Sequence, residues 1–128
     1  MLALSLLLAA ACSRFSPPHS CPMYQVADGV TVNASMFFAA HATAHELCVA
    51  GTRCVVRLPG EAQVSTLVLT GTSTALTIEI TVLARDGTAL LGKSVRVTLH
   101  RVVFNAACGI SALRGTVTIT AQGALTVG

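Results

Sequence analysis

The sequence predicts an all-β fold: an antiparallel two-sheet sandwich of about seven or eight strands, with a short helix or irregular connection at 34–46. Three observations point there. Apolar and polar residues alternate with period two over several stretches, as a strand with one face on a core requires. Turn signals separate those stretches at short, regular intervals: Pro59-Gly60, Gly71-Thr72-Ser73, Asp86-Gly87, Leu91-Gly92 and Gln122-Gly123. The composition, 53% hydrophobic and 10% charged, supplies a core and carries no mark of disorder.

The elements follow in chain order. Residues 26–32 form the first short apolar segment. Residues 34–46 are rich in Ala and do not alternate, which suits a helical turn or a crossing between sheets. Strands are expected at 47–50 and 53–58, joined by a turn at Ala50-Gly51-Thr52, and at 64–70. The clearest alternation is at 75–85, where Leu76, Ile78, Ile80 and Val82 share one face. Residues 94–103 repeat it with Val95, Val97 and Leu99 inward and Arg96, Thr98 and His100 outward. Residues 114–120 place Val117 and Ile119 inward, and 124–127 closes the fold.

The first eleven residues, MLALSLLLAAA, are an apolar run with small side chains at its end. A membrane-spanning helix needs about 20 apolar residues, so the run is read as a signal peptide rather than a span. No Lys or Arg precedes it. Ala9-Ala10-Ala11 fits the small-residue rule of ordinary signal peptidase, and the same residues followed by Cys12 resemble a lipobox, in which the cysteine carries lipid. The expected organisation is a signal peptide at 1–11, a lipid-anchored tether at 12–20 containing Pro17 and Pro18, and the β domain at 21–128. The alternative is plain secretion.

Five cysteines, Cys12, Cys21, Cys48, Cys54 and Cys108, leave one over in an exported chain. A lipid on Cys12 accounts for it. The other four allow three connectivities. Cys48 and Cys54 fall opposite each other if Ala50-Gly51-Thr52 is a three-residue hairpin turn, which favours Cys48–Cys54 with Cys21–Cys108. No C-x-x-C is present, so disulfides are preferred over a metal.

The leader into Cys12, the CysValAlaGlyThrArgCys hairpin, the stretch at 86–97 and the cysteine-bearing Ala107-Cys108-Gly109 before a Thr-rich last strand occur in this order. That order resembles small lipoproteins of unassigned function from high-GC Gram-positive bacteria. The stretch AspGlyThrAlaLeuLeuGlyLysSerValArgVal is similar to an edge of bacterial immunoglobulin-like modules, which implies an immunoglobulin-like sandwich and a role in adhesion or spacing. The resemblance implies no catalytic residue.

Chemistry is sparse in the sequence. Neither G-x-S-x-G nor S-x-x-K frames a nucleophile. The five carboxylates, Asp28, Glu46, Glu61, Glu79 and Asp86, are scattered, and no Gly-rich phosphate loop occurs. The chain is therefore expected not to be an enzyme and to need no cofactor. A net charge of +3 with one Tyr, four Phe and no Trp falls short of a nucleic-acid footprint, so nucleic acid is not an expected partner.

Two candidate sites remain. His41 and His45, four apart, would share a face of a helix and could hold a metal together, with Met23 and Met36 as added thioethers. Glu46 follows the second His, so this is not the H-E-x-x-H motif. Arg96, Arg101 and Arg114 could form a basic, hydroxyl-rich sheet face for an acidic glycan or an envelope protein. The function expected is that of a membrane-anchored lipoprotein of the bacterial envelope, at the extracytoplasmic face, acting as a non-enzymatic binding or structural module. The alternative is a secreted or anchored metal-binding protein of the periplasm or cell surface using His41 and His45.

Overall fold

The computed structural model describes Cys21 and residues 26–128. The expected signal peptide at 1–11, the expected tether at 12–20 with Cys12, and Met23 lie outside the described residues.

Among the described residues, nine strands and one helix follow in the order β1 (Gly29–Asn33), α1 (Ser35–Ala40), β2 (Ala44–Val49), β3 (Val55–Val56), β4 (Ser65–Leu69), β5 (Ala75–Ala84), β6 (Ala89–Thr98), β7 (His100–Asn105), β8 (Ile110–Ile119) and β9 (Leu125–Val127). They build two sheets. One has the order β4-β1-β8-β7, with β9 also paired to β8; the other has the order β3-β2-β5-β6. The fold is the expected all-β two-sheet sandwich. One pairing departs from an antiparallel arrangement: β1 runs parallel to β8, from Gly29 opposite Arg114 to Asn33 opposite Thr118.

Alternation places the core where period two requires it. Val30 and Val32 of β1, Leu47 and Val49 of β2, Ile78, Ile80 and Val82 of β5, Val97 of β6, and Val117 and Ile119 of β8 are buried between the sheets. Each fully buried Val, Ile or Leu contributes roughly 1.5–3 kcal/mol of burial free energy. Gly115 of β8 packs closely on the opposite sheet: a Cβ there would lie 2.7 Å from the Val97 Cγ1 of β6.

The connection at 34–46 is a helix for six residues only. Isolated helices that short do not persist in water, and α1 is held from outside. The Ala34 N–H donates to the Val64 carbonyl, the Ser35 N–H to the Asn33 side chain, and the Val64 N–H to the Ser35 hydroxyl. Phe37 and Phe38, adjacent in sequence, are both buried in the core. The chain crosses from one sheet to the other here, as expected. Residues 44–46 belong to β2 rather than to the connection.

The single expected strand at 94–103 is two strands in different sheets. β6 ends at Thr98, Leu99 turns the corner, and β7 begins at His100. Leu99 is buried, and its N–H donates to the Thr74 carbonyl. A corner of this kind lets one continuous segment serve both sheets.

Both expected disulfides are present. Cys48 and Cys54 are 4.3 Å apart at Cα, and Cys21 and Cys108 are 5.4 Å apart. The register of β2 with β3, Glu46 opposite Val56 and Leu47 opposite Val55, extends to place Cys48 opposite Cys54. A Cα separation near 4.5 Å marks a non-hydrogen-bonded pair, whose side chains approach most closely. These bonds assign the domain to an oxidising, extracytoplasmic setting. Among the described residues no helix is long and apolar enough to cross a membrane.

Candidate functional site: a cleft at one end of the sandwich

Three connections meet at one end of the sandwich: 41–43 between α1 and β2, 57–62 after β3, and the β5–β6 turn at 85–88. They enclose an open cleft of about 900 Å³, within the range of roughly 300–1,000 Å³ usual for small-molecule sites. Ends of sandwiches are where such modules commonly carry binding loops.

The cleft is built from local irregularities. The pairing of β2 with β5 shifts register between Ala44 and Glu46, which makes His45 the extra residue of a bulge. The His45 carbonyl accepts the Arg57 N–H at 2.8 Å. This bond carries the chain past the end of β3 and sets Arg57 at the cleft. Pro59 and Gly60 then turn it; the Glu61 N–H bonds to the Leu58 carbonyl, and Gly60 has φ of 81°. On the other side, Asp86-Gly87 makes the β5–β6 hairpin. The Ala84 carbonyl accepts the Gly87 N–H and the Thr88 carbonyl accepts the Ala84 N–H, with Gly87 at φ 89°. The Asp86 side chain accepts the Thr88 N–H, and that bond holds the carboxyl below its ordinary pKa although it is solvent-exposed.

The lining is mostly apolar. Leu58 and Leu90 present aliphatic surface, with Ala44, Ala62 and Ala84 leaving room between them. The charged groups are Arg57, Arg85, Glu61 and Asp86, with His45. Arg57, like His45, is half-buried, whereas Glu61, Arg85 and Asp86 are exposed. The Arg57 guanidinium lies 5.6 Å from the centroid of the buried Phe38 ring. Its Nη1 donates to the carbonyls of His41, at 3.5 Å, and Ala44, at 3.4 Å. No carboxylate within the described residues pairs with it.

The predicted sites fare differently. His41 and His45 do not share a helix face: His41 is the residue after α1, with φ −125° and ψ 95°, and His45 is on β2. The helix ends there because the chain must extend into the sheet. The His41 Nε2–H donates to the Ala121 carbonyl at 2.9 Å, and its ring stacks on Phe37 at 4.1 Å between centroids. The groups that do cluster are Glu46, Cys48 and Cys54, within 4.8 Å, and both sulfurs are bonded to each other.

The basic face is not assembled either. Arg96 is on β6, opposite Thr77 in one sheet, whereas Arg101 and Arg114 are on β7 and β8 of the other. Arg101 pairs with Leu113 and so is on the opposite side of its sheet from Arg114. Arg101 donates to the Ser111 hydroxyl; Arg114 donates to the Ala27 carbonyl and lies over Phe104. The corner at Leu99 separates Arg96 from the other two, and the pairing register of β7 with β8 puts Arg101 and Arg114 on opposite faces.

Neither this cleft nor Arg57 was among the candidates that the sequence offered. A bulge leaves no signature in single-sequence alternation; the one available signal was the Arg57-Leu58-Pro59-Gly60 run, an apolar turn preceded by a cation. Compared with family models, characterised proteins and solved structures, the chain has no match, and the site is read from its own geometry.

Proposed function

We infer that the chain is an exported lipoprotein of the bacterial envelope, tethered through Cys12, whose β-sandwich is a non-enzymatic binding module. The observation that carries this reading is the cysteine pairing. Cys21–Cys108 and Cys48–Cys54 use four of the five cysteines. Cys12, directly after the apolar leader and its alanines, is left for the lipid. The likeness of the motif order to small lipoproteins of high-GC Gram-positive bacteria supports the same reading. An anchored module of this kind presents its loop-end cleft to envelope ligands, and the cleft at 57–62 and 84–90 is the binding surface it offers.

Replacing Cys12 by Ser tests the anchor. The wild-type chain is expected in the membrane fraction of its host and in the detergent phase on partition, and C12S in neither. Recovery of both proteins in the medium would favour plain secretion.

A further inference from the structure

The geometry points to a ligand class for the cleft: a small amphiphile with one carboxylate and an apolar body, its carboxylate received by Arg57. This deepens the binding-module reading and rests on it.

A guanidinium offers five N–H donors in a rigid plane. The two hydrogens of Arg57 Nη1 are directed to the His41 and Ala44 carbonyls. That leaves the Nε and Nη2 hydrogens, which form the edge that takes a carboxylate through two parallel bonds. Among the described residues no acceptor is bonded to that edge. The group is also held in place, by its two carbonyl bonds and by the Phe38 ring, so little side-chain freedom is lost when a ligand binds. A fixed, half-buried cation with a bidentate edge to spare, at the side of a mainly apolar cleft, is complementary to an anion with an apolar body.

The other charges fit this assignment. The Asp86 carboxylate is committed to its own turn through Thr88. Glu61 and Arg85 are exposed at the loop tips and oppose each other in sign. Leu58 and Leu90 supply surface for the apolar body. A cationic amphiphile would meet Arg57 instead of a buried acid, and a neutral one would leave the free edge unpaired.

Octanoate, octanol and octylammonium separate head from tail. Each is titrated into the isotopically labelled full chain with both disulfides formed, and amide shifts are followed by NMR. Octanoate is expected to shift signals at 57–62 and 84–90 saturably and to bind at least ten-fold more tightly than the other two. Arg57→Gln should reduce that affinity at least ten-fold, and Arg57→Lys should restore little of it, because an ammonium lacks the planar edge. Should R57Q fail to fold, Leu58→Glu is the second variant. Leu58 is 53% exposed, so the change is compatible with the fold while placing a like charge beside the ligand. Equal binding of octanol would overturn carboxylate recognition. So would a folded R57Q or L58E that binds octanoate undiminished, or shifts confined to other residues. None of these outcomes bears on the anchor, which Cys12 decides separately.

Discussion

Gly115 and His41 show how single residues hold the two sheets at their spacing. A side chain at 115 would press on Val97 from the facing sheet at 2.7 Å, and packed cores yield to such insertions at a cost of about 1–3 kcal/mol. Gly115→Ala is therefore expected to lower unfolding free energy by that amount. The loss should shrink when combined with Val97→Ala, whose missing methyls clear the space, and urea unfolding of the double-mutant cycle measures the coupling. His41 ties the end of α1 to Ala121 near β9, through its Nε2–H and its stacking on Phe37. His41→Ala should cost about 1 kcal/mol for the lost hydrogen bond. His45→Ala, at a half-buried bulge position whose side chain makes no hydrogen bond among the described residues, should stay within about 0.5 kcal/mol. Equal losses at both positions, or a thermal midpoint that zinc raises in the wild type and not in the double variant, would restore a shared metal role.

Elements differ in how far the sequence determines them. β5 and the late half of β8 were legible because each keeps strict alternation on one pair of faces, Ile78, Ile80 and Val82 inward in one and Val117 and Ile119 in the other. The β2–β3 hairpin was legible for a second reason: Ala50-Gly51-Thr52 fixes a register, and that register brings Cys48 to Cys54. The run at 94–103 misled because alternation continues unbroken through Leu99 while the strand changes sheets beneath it. With that corner went the expected basic face of Arg96, Arg101 and Arg114. The segment at 34–46 misled in the opposite way, its alanines suggesting helix to a point where the chain had already entered β2 at Ala44. The two disulfides divide the stabilising work unequally. Loop entropy assigns about 2–2.5 kcal/mol to Cys48–Cys54, with a sequence separation of 6, and about 4–5 kcal/mol to Cys21–Cys108, with a separation of 87. Paired Cys→Ala variants compared by denaturant unfolding should reproduce that order. A hairpin bond worth more than the long-range one would show that native geometry, not chain entropy, sets their contributions.

At the scale of the whole molecule, sequence and fold bear on different halves of the account. The sandwich, its disulfides and its extracytoplasmic setting follow from alternation, turn residues and cysteine spacing, all local properties that survive in the three-dimensional arrangement. The cleft does not follow from them, because it depends on a bulge at His45 and on three loops distant in sequence meeting at one end. Arg57 acquires its character only there, from the carbonyls of His41 and Ala44 and the ring of Phe38. The proposed anchor rests in turn on the leader and on Cys12, and the fold bears on it by pairing the other four cysteines. The most direct test of the central claim is the intact mass of the protein extracted from membranes of its host, measured before and after reduction. The account predicts a chain that begins at Cys12, carries added lipid, and gains four hydrogens when its two disulfides are reduced. A lipid-free chain, or one that gains fewer hydrogens, would contradict it and would leave Cys12 or another thiol without its assigned role.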